Sequence, residues 1–188
     1  GAEPSQAHRL VAKMENYIQP VTVMTQNVDG LHTRAGSTDV LCLHGELYKL
    51  RCTGECKSHF EVESYEPFEQ KGIFPPPCEK CGGAVRPSVV LFDEYLGDDT
   101  VQTYEDRLGE PMSTLMWTMS PTFPRYDVSI SIGTSALFQY VNAAALAGKR
   151  TIEINPGKTP LSGYVDVQIE AGATEALQAI FDELDWEA

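Results

Sequence analysis

Two sets of residues in this chain have the types and the spacing to do chemistry. The first is thiol. Cys52 and Cys56 are followed after twenty-one residues by Cys78 and Cys81, and "CGG" (81–83) closes the second pair. Two close Cys pairs in a polar, Pro-rich stretch match a tetrahedral four-sulfur zinc site, one ion per chain. Four thiolates leave no coordination position for water or substrate, so such an ion is structural and supplies folding energy to a segment poor in apolar residues. Unpaired thiols or two disulfides are the alternatives; five Cys, an odd number, with no secretory signal argue against a disulfide framework. The fifth, Cys42, lies inside the apolar run "VLCLH" and reads as a buried thiol. His59, near the pairs, reads as a surface histidine because four Cys already complete the site.

The second set stands at the ends of apolar runs. "VTVMT" (21–25) leads into Gln26, Asn27, Asp29 and His32, and "VLCLH" ends on His44 and Gly45. "YDVSISI" leads into Gly133, Thr134 and Ser135, and "RTIEI" into Asn155. Any one of these is an ordinary turn residue. Their recurrence at strand ends matters because parallel α/β sheets bind ligands at the carboxyl ends of their strands. An imidazole such as His44, with an unperturbed pKa of about 6.5, can accept a proton near pH 7.

The elements that must position these groups alternate. "PSQAHRLVAKME" has helical apolar spacing behind Pro4 and Ser5, which suit a helix start. After the strands "VTVMT" and "VLCLH", residues 46–87 turn polar and Pro-rich. "SVVLF" (88–92) then reads as a fully buried strand. Residues 98–120 are partly helical. The strand "YDVSISI" is followed by a helix ended by Gly148, the strand "RTIEI", and a last strand and helix. In that helix Thr174 is the expected N-cap, and Ala176, Leu177, Ile180 and Leu184 are the apolar face. Strands alternating with helices imply an α/β fold: a Rossmann-like, doubly wound parallel sheet over 1–45 and 88–188, with a small zinc-binding module inserted at 46–87.

A net charge of −13 over 188 residues argues against direct binding to nucleic acid and is compatible with a Lys-rich partner. No apolar stretch is long enough to span a membrane. The absence of targeting signals and the reduced Cys usage point to the cytoplasm or the nucleus.

"TQNVDGLH", "LHGELYKLRC", the two Cys pairs, "VRPSVVLFDE", "IGTS" and "EINP" occur in the order and spacing found in sirtuins, and the chain resembles that family over nearly its whole length. The resemblance implies an NAD-dependent protein-lysine deacylase that converts NAD and an acylated-lysine protein or peptide into nicotinamide, an O-acyl-ADP-ribose and free lysine. It implies that His44 is the general base on a ribose hydroxyl and that Asn27 and Asp29, with Val28 beside them, line the nicotinamide pocket. Gln26 would face the ribose. Gly133, Thr134 and Ser135 would approach the adenosine side of NAD, Asn155 would bond the adenine ribose, and Ala173 would flank the adenine. "VVLFDE" would pair with the peptide substrate as an added strand, with Val90 and Phe92 walling the acyl-lysine tunnel. His8 and His32 read as structural.

The sequence also departs from that family. Nothing in it resembles the Gly-Ala-Gly-x-Ser loop that cradles the cofactor phosphates. An upstream segment or a second polypeptide would supply that loop, and these residues alone are expected to be weak or inactive as an enzyme. Asp93 stands where the family usually has Gly. It is either a carboxylate that favours basic residues around the target lysine or a solvated turn residue. "GTSALFQYV" lacks the Pro common after GTS. Two further functions fit the same residues: ADP-ribosyl transfer or NAD hydrolysis at this site, and a zinc-stabilised interaction module without catalysis.

Overall fold

The computed structural model describes residues 2–73 and 75–187. In chain order the elements are α1 (Gln6–Met14), β1 (Val23–Thr25), α2 (Leu31–Ala35), β2 (Val40–Cys42), β3 (Gly45–Cys52), β4 (His59–Glu61), α3 (Glu66–Gln70) and β5 (Val85–Val89). They continue with α4 (Asp98–Leu108), α5 (Met112–Thr118), β6 (Tyr126–Ile132), α6 (Gln139–Ala145), β7 (Gly148–Ile154), β8 (Val167–Ile169) and α7 (Ala173–Glu183). The chain divides into two compact units. The first comprises the residues up to Val23, Leu31–Leu41, and Asp98 onward; the second comprises Met24–Gly30 and Cys42–Gly97. Strands β1 and β2 pair with each other.

In the first unit β6, β7 and β8 form a parallel sheet in that order, with α6 as the crossover between β6 and β7. The α/β arrangement expected from strand–helix alternation is present. Isoleucines alternate with polar residues along β6 and β7, and period 2 sends the two sets to opposite faces. Ile130, Ile132, Ile152, Ile154 and Ile169 meet Leu10 and Met14 of α1 and Ala176, Leu177 and Phe181 of α7. The other face carries Ser129, Ser131, Thr151 and Glu153, and these too are buried. A parallel sheet is covered on both sides, so alternation here does not mean that one face is wet.

Helix α1 starts where Pro4 and Ser5 predict. Ser5 is its N-cap, and a capping box forms with His8, whose ring lies 4.7 Å from that of His32. Both histidines are structural in this unit. Two expectations for α7 need correction. Its N-cap is Gly172, in extended conformation, which places Thr174 inside the first turn. Leu184 is the C-cap and half exposed, because the helix ends at Glu183 before Leu184 can reach the core; Phe181 takes that place on the apolar face.

The second unit is built on an antiparallel sheet in the order β4-β3-β5. Its buried apolar cluster is small: Leu50, Cys52, Cys78 and Val85, with Phe60, Val62 and Tyr65 packed against them. "SVVLF" is not a fully buried core strand. β5 ends at Val89 and pairs antiparallel with β3 from Gly45↔Val89 to Cys52↔Val85, and Leu91 and Phe92 are exposed beyond it. The unit reaches beyond 46–87 because this ladder carries the residues flanking both its ends along with it. Among the described residues, no helix is long and apolar enough to cross a membrane.

Phe181 is fully buried and edge-on to both Tyr17 and Trp186. Phe181→Ala is expected to remove about 3–5 kcal/mol from the stability of the first unit, read as a shift in the urea midpoint at unchanged slope.

Candidate active site and metal centre

The four Cys of the second unit converge. Their sulfur atoms all lie within 4.8 Å of one another. Cys56 Sγ is 3.4 Å from Cys81 Sγ and 3.6 Å from Cys78 Sγ, and Cys52 and Cys81 are 3.6 Å apart. Disulfide sulfurs would be about 2.05 Å apart. A tetrahedron of sulfurs at about 2.3 Å from zinc has edges of about 3.8 Å. The cluster therefore fits a zinc ion and not a disulfide, and Cys52, Cys56, Cys78 and Cys81 are positioned to hold one. Hydrogen bonds to the sulfurs complete the fit: the Gly54 amide reaches Cys52 Sγ at 3.3 Å, and the Ser58 hydroxyl lies 3.1 Å from Cys78 Sγ. His59 is exposed on β4, as expected. Metal content should be one zinc per chain. Cys78→Ser should lose it and open residues 46–87 to limited proteolysis, because the small apolar cluster around Leu50 cannot hold the module alone.

The same unit brings the first set of strand-end residues together. The backbone N–H of Leu47 donates to the Val28 carbonyl at 2.9 Å, which ties the Gln26–Asp29 segment to the strand that follows His44. Thr25 Oγ1 accepts from the Asn27 N–H at 3.0 Å and shapes the turn. His44 is half-buried, and its side chain hydrogen-bonds to the backbone of Gln26. Burial pulls its pKa below 6.5, and that hydrogen bond, which favours the charged ring, only partly opposes the shift. The ring is therefore mainly neutral at pH 7, the form of imidazole that can accept a proton. Cys42, two residues away, is no nucleophile: burial, then Glu46, pushes its thiol up to about 12.

The peptide segment named from the sequence adjoins this histidine. The Val90 N–H donates to the His44 carbonyl at 2.9 Å. Phe92 is 99% exposed, so its ring stands open to solvent. Residues 91–94 form a turn closed by Glu94 N–H to the Leu91 carbonyl at 3.1 Å, and Asp93 has φ +66°. The third position of a type II turn requires that sign of φ, which Gly adopts freely and Asp tolerates. This accounts for Asp93 as a turn residue in a place suited to Gly. Glu94 fixes the turn by accepting from Arg86 at 2.6 and 3.1 Å and from the Leu91 N–H at 3.1 Å. The Arg86 guanidinium, then the Leu91 N–H, hold its carboxyl down to about 2.

Sequence reading missed what Gly45 does. It has φ +81°, and a Cβ on it would lie 1.9 Å from the carbonyl oxygen of Ser88. Only glycine lets β3 start this close to β5, directly after the histidine. The signal was a Gly following His44 at the head of a continuing strand. Gly45→Ala is expected to cost about 3 kcal/mol by chemical denaturation of the second unit, with zinc stoichiometry still at one.

In the first unit the remaining residues cluster at the carboxyl ends of the parallel strands. The Gly133 N–H donates to the Ile154 carbonyl at 2.9 Å, and Asn155 Nδ2 donates to the Thr134 carbonyl at 2.8 Å. Gly133 has φ +62° with nothing within 4 Å of where a Cβ would sit, which leaves its backbone open to close approach. Ser135 is exposed beside it, and Ala173 opens α7 just beyond β8. Gly133, Thr134, Asn155 and Ala173 thus share the edge where α/β sheets take ligands.

Known proteins share these features. The Sir2 family model matches residues 1–139. The chain is 39% identical over 186 residues to the NAD-dependent protein deacylase Sir2 of Mycolicibacterium smegmatis, covering 96% of this chain and 70% of that protein. It is 38% identical to NAD-dependent protein deacylase 1 of Archaeoglobus fulgidus, covering 97% of this chain and 66% of that one. Among solved structures, a Sir2 homolog–NAD complex superposes with a TM-score of 0.77 at 36% identity, over 98% of this chain and 66% of that one. A Sir2 bound to an acetylated peptide superposes with a TM-score of 0.78 at 26% identity, over 99% of this chain and 73% of that one. On the family match and these identities, the chain belongs to the Sir2 family.

Proposed function

We propose that the protein is an NAD-dependent protein-lysine deacylase acting on acylated-lysine peptides or proteins and releasing nicotinamide, O-acyl-ADP-ribose and free lysine. One observation carries the reading: a half-buried His44, kept neutral at pH 7 and hydrogen-bonded to the Gln26 backbone, joined through its own carbonyl to the Val90 segment. A neutral imidazole hydrogen-bonded to the backbone of the segment that carries an amide (Asn27) and a carboxylate (Asp29) suits proton removal from a ribose hydroxyl after nicotinamide has left. Gln26 and Val28 border the same pocket. Gly133, Thr134, Ser135, Asn155 and Ala173 take the adenosine end of NAD, and Val90, Phe92 and Asp93 border the peptide. The names of the curated relatives and the NAD and acetylated-peptide complexes among the structural neighbours support the assignment. Zinc at the four Cys supports folding and takes no part in the reaction.

These residues alone should turn over weakly or not at all, so the test is nicotinamide release from NAD with an acetyl-lysine peptide once the segment carrying the phosphate loop is supplied, with the second product identified by mass. O-acetyl-ADP-ribose is expected; free ADP-ribose or a modified protein would replace deacylation by NAD hydrolysis or ADP-ribosyl transfer. His44→Ala should lower kcat/KM by about 10²–10⁴. Because the His44 pKa lies below 6.5, the base stays deprotonated as pH falls through 6.5. The acid limb of the kcat/KM profile should therefore lie below 6.5, and be lost in His44→Ala.

A further inference from the structure

Glu153 is a carboxylate one residue from the end of β7, between two isoleucines, and only 1% exposed. It belongs to neither set of chemical residues described above. Its partners lie in the loop that leaves the strand. Thr159 Oγ1 donates to Glu153 Oε1, and Ser162 Oγ donates to Glu153 Oε2 at 2.5 Å. Each hydroxyl in turn accepts a backbone N–H of the same loop: Thr159 Oγ1 from Leu161 at 3.1 Å, and Ser162 Oγ from Thr159 at 2.8 Å. Both carboxyl oxygens, both hydroxyls and two amides are thereby joined. This fixes residues 159–162 onto the buried polar face of the sheet and seats Leu161, which is 1% exposed.

Asn155 lies between the anchor and the anchored loop. Its Oδ1 accepts from the Gly157 N–H at 3.4 Å, and its Nδ2 donates to the Thr134 carbonyl at 2.8 Å. Thr134 Oγ1 accepts from the Ala136 N–H at 3.2 Å, and the Ala136 carbonyl accepts from Asn142 Nδ2 at 3.1 Å. A continuous set of hydrogen bonds and short backbone links therefore runs from the buried carboxyl to both turns that end β6 and β7. The neighbour of Glu153 in register on β8 is Gln168, whose Nε2 is a buried donor with no partner among the described residues. An amide at position 153 would place a second donor there and leave Thr159 or Ser162 without its acceptor.

We propose that Glu153 is a positioning residue for the adenosine half of the cofactor: it holds the 155–162 loop so that Asn155 and the Thr134 turn keep the geometry that binds a nucleoside diphosphate sugar. This rests on the deacylase reading above. Its effect falls on binding of the adenosine end and leaves proton transfer at His44 alone.

Calorimetric titration of ADP-ribose onto the intact protein, paired with steady-state kinetics, tests it. Glu153→Gln should weaken ADP-ribose and raise KM for NAD by about 5- to 20-fold, the scale of one lost buried hydrogen bond. kcat should stay within about twofold and KM for the acetyl-lysine peptide should not move, a split that general destabilisation would not produce. Thr159→Val with Ser162→Ala should give the same shift and add little to Glu153→Gln, because all three act through one network. Should Glu153→Gln fail to fold, Ser162→Ala alone removes one donor and should shift ADP-ribose affinity in the same direction by about threefold. A lower melting temperature with unchanged ADP-ribose affinity would overturn the proposal and make Glu153 a stabilising residue only. If the unmodified protein, supplied with the upstream segment or second polypeptide that carries the phosphate loop, binds neither NAD nor ADP-ribose, the deacylase reading itself fails.

Discussion

The second unit depends on the ladder between β3 and β5 and on what closes each of its ends. At one end Cys52 pairs in register with Val85, inside the four-sulfur cluster. At the other Gly45 pairs with Val89, and the flanking residues His44 and Val90 share a hydrogen bond. The eight residues of β3 span about 25 Å at the usual rise. An ion bound by the thiols is thus remote from the imidazole yet joined to it by one strand. With so few apolar residues buried, the unit cannot rely on the hydrophobic effect to hold that strand pair in register. Four metal–sulfur bonds at one end and a glycine contact that admits no Cβ at the other do so instead. A metal held by four thiolates would in this way help set the geometry of the strand that begins next to His44.

The first unit solves its positioning problem differently. Its Ile-lined face packs on α1 and α7 and supplies the apolar burial. Its other face is buried and polar, so the ionised and hydroxyl groups there need partners. The hydroxyls and amides beyond β7 supply partners for Glu153, and meeting that demand orders the loop beside Asn155. Specific geometry comes from the polar face, and most of the burial energy from the apolar one.

The groups that come together in space were legible where residue type and spacing coincide. The paired Cys, the Gln26–Asp29 burst and His44 stand out because polar side chains interrupt apolar runs, and the parallel sheet follows from strand–helix alternation. Other features were hidden for identifiable reasons. Five residues as apolar as "SVVLF" read as core, yet the strand ends at Val89 because the Leu91–Glu94 turn leaves it there, and no composition rule marks that turn. Thr174 is a good N-cap type, but Gly172 is the residue at the extended position. Glu153 did leave a signal, a carboxylate between Ile152 and Ile154. Strict alternation of apolar and polar residues suggests that the polar face meets water, and only a parallel, doubly covered sheet makes the same pattern a buried network.

Glu94 and Glu153 show how one side-chain type fixes a loop in two physically distinct ways. Each carboxylate holds the segment that follows a strand: the Leu91–Glu94 turn after β5, and residues 155–162 after β7. Glu94 does so with charge, between Arg86 at 2.6 Å and Arg51 at 3.6 Å, in the open. Counter-ions screen such a pair, so its hold weakens with salt. Glu153 works through hydroxyl donors in a site closed to solvent, where neither salt nor ligand charge reaches it. The turn after β5 is tied by a contact that salt can loosen, and the loop after β7 by one that it cannot.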